Sequence, residues 1–181
     1  MTDTTTTPLA CQREAFDLPE GLAYLNTAYM GPLPRVTVAA AQRALTSRVS
    51  PSGIGADAFF LPAERARVAC AALVKADPEQ VALVTSTAQA IAIAVDNLDL
   101  APGTTIVVPG EQFPSNVLGW RRLGERGIEI RTVPRPRPED TRSDGRSLAT
   151  LWNERLLAAI DSRCAIVAVE PGHWTDGARF D

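Results

Sequence analysis

Residues 81–91, VALVTSTAQAI, decide the fold, because an apolar run changes there into a helical pattern of small residues. The run VALVTS predicts a buried strand, and Ser86 and Thr87 predict the start of the helix that follows it. A strand joined directly to a helix leaves unpaired backbone N–H groups at the carboxyl edge of a sheet, where they attract anions. Hydroxyl groups at that point can add hydrogen bonds to phosphate oxygens. Ser86 also fits an ordinary helix N-cap without a ligand, so the two interpretations stay open.

The change from strand to helix recurs along the rest of the chain. Apolar segments near residues 104–110, 128–134 and 164–170 predict strands, and segments near 114–127 and 147–161 predict helices. Strands that are apolar on both faces and separated by helices are typical of parallel sheets. The sequence therefore predicts an α/β fold, with a mainly parallel sheet and helices on both faces.

The part of the chain before residue 81 has a different pattern. Residues 24–34, YLNTAYMGPLP, fit a short strand or an extended piece that ends in a turn. Residues 36–49 and 62–75 carry small and aliphatic side chains at helical spacing. The predicted organisation is a polar N-terminal segment at 1–23, an extended segment with helices at 24–80, and part of a large α/β domain at 81–181.

The composition excludes several classes of protein. Hydrophobic residues make up 45% of the 181 residues, charged residues make up 22%, and the net charge is -3. These values are ordinary for soluble globular proteins and offer no basic surface for nucleic acid. The sequence shows neither a secretory signal nor an apolar run long enough for a membrane helix. The widely spaced Cys11, Cys70 and Cys164 fit reduced thiols, and we expect a cytoplasmic protein without a metal site.

Two further predicted strand ends carry residues suited to ligand binding. Phe113 follows the strand near 104–110, at the edge where open parallel sheets bind ligands, and it could stack on a heteroaromatic ring. His173, Trp174 and Asp176 follow the last predicted strand, and His173 is the only histidine. Phe113 also fits an ordinary core residue, and His173 fits a structural hydrogen-bonding residue. Because GxGxxG and GxxxxGKS/T are both missing, a generic nucleotide-binding domain is disfavoured, and a bound phosphate would belong to another cofactor.

Four segments, in this order and at this spacing, resemble the class V aminotransferase superfamily of fold-type I pyridoxal-phosphate enzymes. They are YLNTAYMGPLP, VALVTSTAQAIAIAV, GEQFPSNVLGWRRL and HWTDGARFD, and together they run from about Tyr24 to Asp181. The superfamily includes cysteine desulfurases, selenocysteine lyases and kynureninases. The resemblance implies a homodimeric enzyme that holds pyridoxal 5'-phosphate (PLP) and acts on an amino acid or an amine by transferase or lyase chemistry.

The resemblance also implies roles for individual residues. Ser86, Thr87 and Ala88 match the turn that binds the cofactor phosphate through backbone N–H groups and a hydroxyl. Phe113 matches the residue that stacks on the pyridine ring, which is typically His in desulfurases and Phe in kynureninase-like members. The remaining implied contacts are Asn116, His173, Trp174 and Asp176 beside the cofactor, and Asn26, Thr27, Ala28 and Gly31 near the substrate carboxylate.

One departure from the superfamily concerns lysine. Enzymes of this type attach PLP to a lysine, and the only lysine here, Lys75, ends a predicted helix before the phosphate-binding turn. Lys75 fits a surface cation at a helix terminus. In the superfamily, the catalytic lysine and the aspartate on the ring nitrogen lie beyond the position matching residue 181. We therefore expect an N-terminal portion, without the small domain, that turns over no substrate; the alternative is a non-catalytic binding or dimerisation module.

Overall fold

The computed structural model describes residues 9–27, 29–141 and 145–180. Its internal contacts divide the chain into two compact units, Met1–Ala82 and Leu83–Asp181. The helices and strands are α1 (Arg35–Ser47), α2 (Leu61–Val74), α3 (Thr87–Asn97), β1 (Thr105–Pro109), α4 (Pro114–Arg121), β2 (Glu129–Val133), α5 (Leu148–Ala158) and β3 (Cys164–Val167). Short 3-10 helices lie at Arg13–Ala15, Pro51–Gly53, Ala56–Phe59, Pro78–Gln80, Arg122–Arg126 and Pro138–Thr141. Within these described ranges, no helix is long and apolar enough to cross a membrane.

The first unit contains the two helices that the sequence predicts there, since α1 and α2 lie within two residues of the expected bounds. Lys75 is the C-cap residue of α2, is exposed and has a left-handed φ of 57°. The strand interpretation of residues 24–34 is wrong for the residues of that segment that the structure describes. The segment is irregular there, and the Tyr24 hydroxyl donates a hydrogen bond to the Met30 carbonyl at 2.7 Å, so the loop closes on itself.

The second unit is built on a parallel sheet in which β1 lies between β2 and β3. Thr105 pairs with Glu129 and Pro109 pairs with Val133, so β1 and β2 end level with each other. All five residues of β1 are buried, as expected for a central strand covered on both faces. This sheet confirms the predicted α/β fold class.

Helices cover both faces of this sheet. Ile106 and Val108 pack into a core with α3 and α4, whereas Val107 faces Trp152 and Leu156 of α5. The division follows from the alternation of side chains along a strand. The carboxyl ends of the three strands are therefore held in place by a core on each side.

Residues 81–86 do not form the predicted strand. They are irregular up to Ser86, and Leu83 and Val84 are 48% and 39% exposed. A strand needs a neighbouring chain to complete its ladder of hydrogen bonds, and the sheet that the described residues form is β2-β1-β3. The predicted helix is confirmed, because Ser86 is the N-cap of α3 and its Oγ accepts a hydrogen bond from Gln89 N at 3.2 Å.

A charge cluster lies near the amino ends of β2 and β3. Arg131 contacts Glu129 and Asp161, each at an N to O distance of 3.0 Å. The hydrogen bond from Arg131 lowers the pKa of Glu129. The pKa of Asp161 is also lowered, first by the backbone N–H of Arg163 and then by Arg131. Both carboxylates are therefore stabilised in their charged form.

Candidate functional site

Three loops meet at the carboxyl edge of the sheet, one after each strand. The loop after β1 carries Glu111, Gln112 and Phe113, the loop after β2 carries Arg135, and residues 170–177 follow β3. Hydrogen bonds and ion pairs connect all three loops. Because open parallel sheets bind ligands at this edge, we take it as the candidate site.

Phe113 and Trp174 form an aromatic pair at this edge. Their ring centroids are 5.3 Å apart and their planes meet at 89°, which is a favourable edge-to-face arrangement. Phe113 is the N-cap residue of α4, and Trp174 Nε1 donates to the carbonyl of Glu111 at 2.8 Å. Each side chain is 47% exposed. The pair therefore leaves aromatic surface open that a flat ligand ring could cover.

His173 lies beside Trp174, with ring centroids 6.5 Å apart, and is almost fully buried, with 1% of its area exposed. Its Nδ1 is 2.9 Å from Thr175 Oγ1 and 3.8 Å from Asp176 Oδ1, and its ring centroid is 4.8 Å from that of Trp152. The other ring nitrogen, Nε2, is buried and has no hydrogen-bond partner among the described residues. Because buried polar atoms are normally paired, Nε2 is suited to a partner from outside the chain.

Arg135 connects the three loops and was not among the residues that the sequence singled out. Its guanidinium lies 3.2 Å from Glu111, donates to Thr175 Oγ1 at 3.0 Å and pairs with Asp176. It also lies over the Trp152 ring, 5.7 Å from the centroid. Arg135 lies two residues after the end of β2. The rule that selects Phe113 and His173, which is that each follows a strand end, therefore also selects Arg135.

The predicted phosphate-binding residues lie at the start of α3. Thr87 and Ala88 are its first two residues, and Thr85 donates to Gln89 Oε1 at 2.8 Å from both its backbone N–H and its hydroxyl. Ser86 caps the helix, so the cap interpretation holds whether or not a phosphate binds. Helix α3 packs against α4, since Val95 of α3 and Val117 and Trp120 of α4 belong to one buried cluster.

The structure brings four of the predicted residues together and locates the others elsewhere. Phe113, Trp174, His173 and Asp176 belong to the contact network at the sheet edge. Asn116 lies in the first turn of α4, where its N–H donates to the Phe113 carbonyl at 2.9 Å. Of the residues predicted to lie near the substrate, Asn26, Thr27 and Gly31 belong to the first unit. Ala28 lies outside the described residues. Among the described residues, no group of His, Cys, Asp and Glu could hold a metal ion.

The chain belongs to the class-V aminotransferase family, which matches residues 34–180. The resemblance seen in the sequence is thereby confirmed. A probable cysteine desulfurase from Methanothermobacter thermautotrophicus is 32% identical over 114 residues, which cover 61% of this chain and 28% of the relative.

Two solved structures share the fold. A mutant of C-DES with glycine covalently linked to the PLP cofactor has a TM-score of 0.71 at 21% identity, covering 96% of this chain and 43% of that chain. The cysteine desulfurase CsdA from Escherichia coli has a TM-score of 0.68 at 22% identity, covering 93% of this chain and 42% of that chain. The chain therefore spans less than half the length of these relatives.

Residues of the second unit fit PLP in three respects. The half-exposed ring of Phe113 suits the face of a pyridine, and the buried Nε2 of His173 lacks a partner among the described residues. The start of α3 offers N–H groups and hydroxyls to a phosphate. The missing feature is an amine for covalent attachment, because the only lysine of the sequence is the exposed Lys75 at the end of α2.

Proposed function

We propose that this chain supplies part of the PLP site of a class V aminotransferase-like enzyme that acts on an amino acid or an amine. The observation that carries the proposal is Phe113, which begins α4 at the carboxyl edge of the sheet with 47% of its area open. A pyridine ring stacked on it would cover apolar surface that is otherwise exposed. Family membership and the PLP-bearing neighbour support the same cofactor.

The phosphate is assigned to the start of α3. The first N–H groups of a helix have no intrahelical partner and attract anions, and Thr87 and Ala88 occupy that turn. Ser86 and Thr87 add hydroxyls beside it. Asn116, His173, Trp174 and Asp176 are assigned to the surroundings of the ring, and Asn26, Thr27, Ala28 and Gly31 to the substrate side on the strength of the resemblance.

When bound, PLP supplies an electron sink for bonds at the substrate α-carbon. The chain's own contribution includes the orientation of the His173 ring. Arg135 donates a hydrogen bond to Thr175 Oγ1, and the same oxygen lies 2.9 Å from His173 Nδ1, so these two residues hold the imidazole in place. The buried Nε2 has no hydrogen-bond partner among the described residues and is available to a bound ligand.

We further propose that these 181 residues turn over no substrate by themselves, because Lys75 is the only lysine and it is an exposed helix-terminal residue. The parent enzyme is proposed to be a cytoplasmic homodimer. The desulfurase relative supports cysteine-type substrates, whereas Phe at position 113 favours lyase, hydrolase or aminotransferase chemistry. The exposed position of Lys75 also favours the second candidate, a non-catalytic binding or dimerisation module.

The test is PLP binding to the purified 181-residue chain, followed by absorbance and by intact mass before and after borohydride. We expect reversible binding that pyridoxal without phosphate does not reproduce. Phe113→Ala should weaken the dissociation constant about 3- to 10-fold, as loss of one aromatic contact predicts. Phe59→Ala is the matched control, because Phe59 is 73% exposed and belongs to the other unit.

Three results would contradict parts of this proposal. Equal binding by the Phe113 and Phe59 variants would remove Phe113 from the site. Absence of phosphate-dependent binding would show that this chain does not hold the cofactor. A borohydride-stable adduct mapped by peptide mass to Lys75, rather than to the terminal amine, would overturn the claim that the chain has no catalytic lysine.

A further inference from the structure

Gln112, the residue before Phe113, connects the loop after β1 to the loop after β3. It is buried, with 9% of its area exposed. Its Oε1 accepts a hydrogen bond from the backbone N–H of Phe113 at 2.7 Å, and its Nε2 donates to Glu170 Oε2. The Gln112 side chain therefore connects the N-terminal end of α4 to the loop that follows β3.

The direction of these hydrogen bonds is fixed by the backbone. An N–H group can only donate, so the carbonyl oxygen of the Gln112 amide must face Phe113. The amide nitrogen must then face Glu170, and Glu170 must accept. The other oxygen of Glu170, Oε1, is buried and has no hydrogen-bond partner among the described residues. Gln112 is thus the one hydrogen-bond donor to the Glu170 carboxylate within that part of the chain.

A second connection runs parallel to the first. Glu111 has a left-handed φ of 52°, which turns the chain between β1 and Gln112. Its carbonyl accepts from Trp174 Nε1 at 2.8 Å, and Trp174 in turn packs against Phe113. Phe113 is consequently held through its backbone by Gln112 and through its ring by Trp174, and both contacts reach the loop after β3.

From this geometry we infer that Gln112 and Glu170 are positioning residues that hold Phe113 in place for ring stacking. The inference rests on the proposed PLP site and adds to it a pair of residues that need not touch the cofactor. The pair acts through hydrogen bonds, with Glu170 as the acceptor. Loss of the Gln112 amide or of the Glu170 hydrogen-bond acceptor frees the N-terminal end of α4 to move. Removal of the Glu170 charge alone, with the acceptor oxygen kept, leaves that end in place.

The test compares four variants of the full 181-residue chain. Gln112→Met keeps the shape but removes the amide, Glu170→Leu removes the acceptor, and Glu170→Gln keeps an acceptor without the charge. Gln42→Met is the matched control, because Gln42 lies exposed on α1 in the other unit. PLP dissociation constants are measured well below the unfolding temperature of each variant, and thermal unfolding is recorded separately.

A second measurement reports the position of the aromatic pair without cofactor. Of the three tryptophans, Trp174 is 47% exposed, whereas Trp120 and Trp152 are 4% and 1% exposed. Quenching by neutral acrylamide therefore reports mainly on Trp174. If Phe113 moves away, the quenching constant should rise, because the Trp174 ring loses its neighbour.

We expect Gln112→Met and Glu170→Leu to weaken PLP binding about tenfold and to increase acrylamide quenching. Glu170→Gln should restore both quantities to near the native values, and Gln42→Met should leave both unchanged. Native binding and quenching in Gln112→Met, or equal losses in Glu170→Gln and Glu170→Leu, would overturn the inference. If the native chain binds no PLP, the proposed function fails, and the quenching series alone still decides whether the pair positions Phe113.

Discussion

Helix α4 carries Phe113 at its head, and one glycine lets this helix approach α3. A methyl group at Gly119 would lie 2.6 Å from Ile91 Cγ2 and 3.7 Å from Val95 Cγ2. The first distance is far below van der Waals contact. Because Cγ2 is attached directly to the Ile91 Cβ, it cannot move away without a change of rotamer or of the helix position. Gly119→Ala should therefore push α3 and α4 apart.

Two opposing terms determine the size of the effect. Overpacking of a well-packed core costs about 1–3 kcal/mol, and replacement of Gly by Ala inside a helix returns about 1 kcal/mol. The expected net result is a loss of about 1 kcal/mol in the free energy of unfolding. Gly124→Ala is the matched control, because a methyl group at Gly124 would have no neighbouring atom within 4 Å and the residue has no positive φ. That variant should be neutral or more stable by at most about 1 kcal/mol.

Urea unfolding followed by tryptophan fluorescence measures the relevant unit, since all three tryptophans lie between Leu83 and Asp181. The Gly119 variant should lower the midpoint by about 0.5 M, given a slope of about 2 kcal/mol per molar. Ile91→Leu moves the branch away from Cβ at constant volume and should recover most of the loss when it is combined with Gly119→Ala. If Gly119→Ala is as stable as Gly124→Ala, or more so, the packing argument is wrong.

The remaining predictions concern a helix cap and acid sensitivity. Ser86→Ala and Ser147→Ala each remove one N-cap hydrogen bond and should each cost about 1 kcal/mol in urea unfolding. Only Ser86→Ala should also weaken PLP binding; equal binding by both variants would separate the α3 cap from the phosphate site. The lowered pKa values of Glu129 and Asp161 stabilise the fold above about pH 5, and this contribution is lost as the pH falls through their folded-state values. Arg131→Gln should therefore be less stable than the native chain at pH 7, and the difference should narrow as the pH falls through the folded-state pKa values of the two carboxylates. A difference that is constant with pH would show that Arg131 does not act through these carboxylates.

Local patterns predicted most of the helices and strands of the fold. The periodic apolar residues of α1, α2 and α5 and the buried run of β1 report burial through spacing alone. The segment VALVTS carried a similar signal and was assigned wrongly to a strand. A strand needs a neighbouring segment that completes its hydrogen bonds, and the residue types of 81–86 do not indicate whether such a segment lies beside them.

Some residues of the candidate site could likewise be predicted from the sequence, and others could not. Phe113, His173, Trp174 and Asp176 could be selected because each follows a strand whose carboxyl end lies at the binding edge of a parallel sheet. Gln112 and Glu170 could not, since their importance depends on which loop each side chain reaches. The contact between Gln112 and Glu170 joins residues 58 positions apart.

The sequence by itself determined the α/β class, the order of the elements after residue 87, the family and the absence of a second lysine beside Lys75. These properties depend on residue types and short spacings, which are written directly in the chain. The tertiary structure decided that residues 81–86 lie outside the sheet of the described residues, that His173 Nε2 is buried, and that Arg135 joins three loops. Pairing, burial and contact arise between segments distant in sequence, so only the folded chain determines them.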